Sequence, residues 1–154
     1  MTTATALEQG MQRLVERDGF RRVTTDTLVD FARAADIGVL LLTDDPVRCP
    51  EAWDMLVVLP EVLKSVPGLR AGVAAPDASR DIAATFGISR YPALLFLRGD
   101  DNAGGNHDYV GAIEGMRDWQ PLVEAVAAMR HAPAGRRPGI GIPVRGTGAS
   151  STCH

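Results

Sequence analysis

The sequence predicts an α/β sandwich, a mixed central β-sheet with helices on both faces. Three observations carry that expectation. The run Gly38-Val-Leu-Leu-Leu-Thr43 is short, continuously apolar and bounded by turn residues, as a strand buried on both faces requires. Segments of helical apolar spacing alternate with such runs in the order α-β-α-β-α-β-α-β-β-α. The last two strands follow one another across the turn-rich Arg98-Gly-Asp-Asp-Asn-Ala-Gly-Gly105, so a βαβ unit and a terminal hairpin share one sheet.

Each element has its own reason. Leu7, Met11, Leu14 and Val15 recur at helical spacing and predict an amphipathic helix over 5–17 that stops before Gly19. Phe20-Arg-Arg-Val23 reads as a short strand, after which Thr24 or Thr25 is expected to cap a helix burying Leu28, Phe31 and Ala32. Asp44 to Pro50 is a turn, and Pro50 opens a helix to residue 65, because a proline in the first turn has no ladder bond to lose. The apolar face of that helix is read as Trp53, Leu56, Val57, Leu63 and Val66, with Pro60 kinking it from inside. Leu69–Ala75 reads as a strand, Asp77–Phe86 as a helix closed by Gly87, Ala93–Leu97 as a strand and residues 107–110 as the last strand. Asp118 is expected to cap a helix to Met129, with Leu122, Val126 and Met129 inward and Pro121 tolerated in its first turn. Beyond His131 the chain is dense in Gly and Pro. The expected division is therefore a domain over 1–131 and a flexible Gly/Pro-rich tail over 132–154, removable without loss of the fold.

Composition removes several classes of function. At 154 residues, 45% hydrophobic and 23% charged, the chain suits one globular domain and neither disorder nor a collagen-like or coiled-coil architecture. No apolar run approaches the roughly 18–20 residues of a membrane span. Met1 to Gly10 lacks the basic and apolar regions of a secretory signal, so a cytoplasmic location without membrane insertion is expected. All nineteen carboxylates lie within residues 1–130, which carry −6, whereas residues 131–154 carry +3. An acidic body disfavours nucleic acid and favours cationic partners. Cys49 and Cys153 are the two cysteines, and no CxxC occurs. Together with the scattered His107, His131 and His154 they make neither a disulfide framework nor a zinc site, and no metal or cofactor is expected.

The proline inside the helix after the central strand, with the run Phe86-Gly-Ile-Ser-Arg-Tyr-Pro-Ala-Leu-Leu-Phe-Leu97, resembles thioredoxin over about residues 20–130. The resemblance implies a thioredoxin-like three-layer sandwich carrying an N-terminal helical extension, and a cis bond between Tyr91 and Pro92. Aligning Pro60 with the kinking proline of thioredoxin puts Ala52-Trp-Asp-Met55 where the redox Cys-x-x-Cys would stand. Dithiol exchange needs one attacking and one resolving thiol, and these residues supply neither. A thioredoxin-like chain without the pair, with the extension, Leu59-Pro-Glu-Val62 and a Gly/Pro-rich tail, is similar to the hydrogenase expression/formation accessory family of the HyaE, HoxO and HupG type. That similarity implies a non-catalytic cytoplasmic chaperone in maturation of the nickel–iron uptake hydrogenase. Its implied partner is the small-subunit precursor, bound through the twin-arginine signal. Other hydrogenase accessory proteins and a second copy of the chain remain open as further partners.

The candidate site gathers around Tyr91 and Pro92. The backbone of residues 89–91, Arg90 included, is expected to stay unpaired and accept an extended peptide by strand addition. Trp53 and Met55 would lie beside it. A tryptophan at helical spacing is first a core residue and, where exposed, an apolar anchor. Asp44, Asp45, Glu51 and Asp54 set four carboxylates within eleven residues against Arg48. In the bland reading Asp45 shapes a turn and Glu51 favours a helix N-terminus. In the sharper one they dock paired arginines, whose guanidinium forks match carboxylates. Cys49 at a helix start is the candidate reactive thiol of an alternative redox reading, alone or with Cys153, though no His or second Cys lies near it in sequence.

Overall fold

The computed structural model describes residues 3–33, 36–45, 47–99 and 107–132. Five strands, β1 (Arg21–Arg22), β2 (Gly38–Leu42), β3 (Arg70–Ala74), β4 (Ala93–Gly99) and β5 (His107–Glu114), form one sheet in the order β1-β3-β2-β4-β5. β1 and β2 run parallel to β3, while β4 is antiparallel to both β2 and β5. The helices are α1 (Thr3–Asp18), α2 (Leu28–Arg33), α3 (Pro50–Ser65), α4 (Pro76–Phe86) and α5 (Trp119–His131).

Successive strand side chains point to opposite faces, and the core divides accordingly. Val39 and Leu41 of β2, with Leu94 and Phe96 of β4, join Leu7, Met11 and Leu14 of α1, Met55, Leu56, Leu59 and Val62 of α3, and Leu122 and Val126 of α5. Leu40, Leu42, Leu95 and Leu97 instead meet Leu28, Phe31 and Ala32 of α2 and Ile82, Ala83 and Phe86 of α4. Covering both faces is what makes every residue of β2 buried. On the second face the Phe31 ring lies over two glycines. A Cβ on Gly38 would stand 3.1 Å from Phe31 Cε2, and one on Gly72 2.9 Å from Phe31 Cε1. The floor under the ring is therefore bare backbone.

Three local expectations change. Thr24 and Thr25 do not cap α2. Residues 24–27 form a turn in which the Thr27 N–H donates to the Thr24 carbonyl at 3.2 Å. The first ladder bond of the helix then runs from the Phe31 N–H to the Thr27 carbonyl at 3.0 Å, and the Thr24 N–H donates to Thr27 Oγ1 at 2.8 Å. In α3 the buried stripe is Ala52, Met55, Leu56, Leu59 and Val62, while Trp53 and Val57 are exposed. This helix is apolar nearly all round, and α1 covers the stripe that includes Leu56, with a Cβ on Gly10 standing 3.0 Å from Leu56 Cδ1. Finally, β5 continues past residue 110 to Glu114. Gly111 stays in the strand because Met129 lies on it, 2.7 Å from the position of an added Cβ, and the register shifts at Phe96/Leu97. The Gly/Pro-rich segment assigned to a tail, beyond Ala132, and most of the turn segment after Arg98 lie outside the described residues.

Candidate functional site

β2 ends in two side chains that tie it to α4. The Thr43 N–H donates to Ser79 Oγ at 2.9 Å, Thr43 Oγ1 donates to the Ala74 carbonyl at 2.7 Å, and Ser79 Oγ donates to the same carbonyl at 3.0 Å. Both hydroxyl residues are fully buried, so the network leaves none of these polar groups unmatched. It holds the strand end from which Asp44 and Asp45 follow.

Those two aspartates have different surroundings. Asp44 is 3% exposed and its Oδ1 accepts the Asp45 N–H at 2.8 Å. Asp45 is exposed, and its Oδ1 accepts the Val47 N–H at 2.9 Å in a side-chain turn. The Asp45 carbonyl accepts the N–H groups of Arg48 and Cys49 at 3.0 and 2.7 Å, which closes the turn and leaves Cys49 as the N-cap of α3 with Pro50 next. Asp45 shapes this turn as expected, but Asp44 is no part of an exposed surface. Asp54 is exposed and Glu51 half-buried, on the first turns of α3.

The loop opposite comes from α4. Gly87 ends that helix in the left-handed region at φ 71° and its N–H donates to the Ala83 carbonyl. The chain then passes Ser89 and Arg90 to Tyr91–Pro92, whose peptide bond is cis. Cys49, Ala52 and Tyr91 form a small apolar cluster, with Cys49 Sγ 3.4 Å from the Tyr91 carbonyl oxygen and 3.9 Å from Glu51 Oε2. The residue at the start of α3 beside this loop is thus Cys49, three positions before the Ala52 that counting back from Pro60 selects. Cys49 is fully buried and is not a free thiol, and Cys153 lies outside the described residues. Met55 is also fully buried, in the core beneath α1, and offers nothing to a partner. Trp53 is 37% exposed and lies over Gly10 of α1, its Cζ3 3.5 Å from where a Cβ would be.

The amides of residues 89 and 90 are not unpaired. Both the Ser89 N–H (2.8 Å) and the Arg90 N–H (3.2 Å) donate to Glu114 Oε1, at the end of β5. Sequence reading missed Glu114 because it ended β5 four residues early. The nearest signal was Gly115, which follows at φ 82° and turns the chain out of the strand.

Burial raises the ionisation of the Tyr91 hydroxyl above the ordinary tyrosine range, the negative charge of Asp44 adds to the rise, and Arg80 opposes it. Burial followed by the charge of Glu114 does the same for Tyr109. A group that loses its proton later in the folded than in the unfolded chain favours folding below the unfolded value. That contribution disappears as the pH climbs through the folded one. Stability is therefore expected to fall as pH rises above about 10, the unfolded tyrosine value. Urea unfolding across pH 9–12 checks this, and Tyr91→Phe should make the fall shallower.

Among the described residues no cluster of His, Cys, Asp and Glu could hold a metal ion, and no helix is long and apolar enough to cross a membrane. Two clefts, of about 260 and 330 Å³, open elsewhere, one between Arg22, Thr24 and Asp81 and the other beside Pro60 and Arg70. The site is a surface of loop, helix start and carboxylates.

Residues 11–122 match the family described as hydrogenase-1 expression protein HyaE. The chain is 39% identical over 155 residues to the hydrogenase expression/formation protein HoxO of Cupriavidus necator, covering 99% of this chain and 92% of that one. It is 31% identical over 133 residues to the hydrogenase expression/formation protein HupG of Bradyrhizobium diazoefficiens, covering 83% and 85%. Among solved structures, a thioredoxin variant from Halobacterium salinarum matches with a TM-score of 0.55 at 16% identity, over 71% of this chain and 88% of the other. The fold is thioredoxin-like.

Proposed function

Since the chain belongs to the HyaE family of hydrogenase expression proteins, we propose that it is a non-catalytic chaperone of hydrogenase maturation, which binds the small-subunit precursor in the cytoplasm through its twin-arginine signal region. One observation carries this reading. Asp45 and Asp54 stand exposed at the start of α3, and among the described residues neither forms an ion pair. Two unneutralised carboxylates flanking Cys49, the residue of this helix start that touches the Tyr91 carbonyl, match two guanidinium groups, each of which grips a carboxylate through a planar fork. An exposed pair contributes at most about 1 kcal/mol. Hence the segment carrying the arginines needs added contact with the apolar and backbone surface of Tyr91 and Pro92 along the loop. The relatives are named for expression and formation of hydrogenase, which fits a helper in assembly. Absence of CxxC from the chain supports binding without dithiol turnover.

The test is a titration of the purified protein with the small-subunit precursor and with the same subunit lacking its twin-arginine segment. The precursor should bind and the shortened subunit should not. Asp45→Asn with Asp54→Asn should weaken binding about tenfold at low salt, and the difference should shrink near 1 M salt, where charges are screened within about 3 Å. Folding stability should stay within about 0.5 kcal/mol, as for other surface changes. Failure of both subunit forms to bind would sink the proposal. Equal binding by the double variant at low salt removes the acidic surface from it.

A further inference from the structure

The loop that carries Tyr91 and Pro92 is braced from the end of β5, by two consecutive residues. Glu114 Oε1 accepts the N–H groups of Ser89 and Arg90 at 2.8 and 3.2 Å. The next residue, Gly115, donates its own N–H to the Pro92 carbonyl at 2.8 Å. Glu114 is itself fixed, because it closes the β4–β5 ladder opposite Ala93, and Gly115 occupies the left-handed region at φ 82°, where a side chain would be strained. Ser89 and Arg90 lie between the cap of α4 and the first residue of β4, so no ladder serves their amides. A carboxylate shared between two N–H donors makes charge-assisted bonds, stronger than those either amide would make with a neutral carbonyl.

We propose that Glu114 is the positioning residue of the docking loop: its carboxylate holds the Ser89–Arg90 backbone in the conformation in which Tyr91 and Pro92 meet the partner's extended segment. This rests on the docking reading above. A loop ordered before encounter binds more tightly than one that must be ordered by its partner, since the entropy of ordering is not charged to the complex. Without Glu114 the two amides turn to water and the segment between α4 and β4 samples other conformations.

The experiment uses the full chain and a synthetic peptide carrying the twin-arginine region of the small-subunit precursor. Glu114→Ala is expected to speed amide exchange at Ser89 and Arg90 and to raise the peptide Kd, each by about tenfold, a loss of about 1.4 kcal/mol in binding. Glu114→Gln keeps a side-chain oxygen of the same reach and should restore both quantities to within about threefold of wild type, because a neutral acceptor is weaker but correctly placed. A purely structural role would lower the melting temperature of Glu114→Ala without this paired change and its rescue. If Glu114→Ala does not fold, Glu114→Asp, one methylene shorter, withdraws the oxygen from both donors and is measured in its place. Unchanged exchange at the two amides overturns the proposal. So does faster exchange with an unchanged Kd. A wild-type protein that fails to bind the peptide overturns the docking reading, and the positioning role falls with it.

Discussion

Replacing Phe31 by alanine should destabilise the protein by about 3–5 kcal/mol, the range for removing a fully buried aromatic ring from a core. Phe31 is 1% exposed and seated over Gly38 and Gly72 on neighbouring strands. The cost should lie high in that range because the site has little means to collapse. Glycine has no side chain to swing into the void, and the β2–β3 ladder fixes both backbones. The neighbouring Val23, whose Cγ2 stands 2.9 Å from the Cβ position of Gly72, is already in contact with the floor. The same geometry makes Gly72→Val harmful from the other side, since its methyl groups would enter the space of the ring. Urea unfolding of Phe31→Ala should show a lower midpoint with an unchanged slope. A loss under about 1 kcal/mol would mean that the ring does not fill this space.

Ser79→Ala is expected to cost about 1–3 kcal/mol, well above the effect of an ordinary surface change, because it strands a buried donor. In the wild type the Thr43 N–H has Ser79 Oγ as its acceptor at 2.9 Å, in a place closed to water. Thr43→Val alone removes a hydroxyl whose acceptor, the Ala74 carbonyl, still receives Ser79 Oγ. That variant should therefore be milder. The two substitutions together should cost more than their sum, because only the double variant strips both hydroxyl donors from the Ala74 carbonyl. A double-mutant cycle by urea denaturation reads the coupling directly, and strict additivity would contradict the shared network. The variant bears on the site too, for Thr43 is the last anchored residue before Asp44 and the turn of Asp45.

How far the site can be read from residue order depends on the range of the contacts involved. Local patterns carried well: helical spacing for α1, the apolar run for β2, Gly87 as the cap of α4, and the aromatic–proline pair at 91–92. α3 was different. Ala52, Trp53, Met55, Leu56, Val57, Val58 and Leu59 surround it with apolar groups, so periodicity does not select a face. The choice is made by α1, which covers the side bearing Leu56 and leaves Val57 64% exposed. Asp44 and Asp45 are chemically identical neighbours, and only the path of the chain after β2 decides which is buried. Glu114 was out of reach for another reason. It acts on Ser89 and Arg90 across the hairpin, 25 and 24 residues away, through a strand whose Gly111 and Ala112 have weak strand preference.

The position of α1 sets where this molecule can be cut. The thioredoxin match covers 71% of the chain, and an engineer trimming it to the expected range of about 20–130 would discard Leu7, Met11 and Leu14, each at most 3% exposed. Their removal uncovers Leu56, which α1 covers at Gly10, and leaves that side of α3 as an apolar surface of the kind that drives aggregation. The thioredoxin-like part and the folding unit therefore have different borders. A tag or fusion partner belongs ahead of Thr3, where it leaves this seal in place, and the portable part of the protein is the domain together with its N-terminal helix.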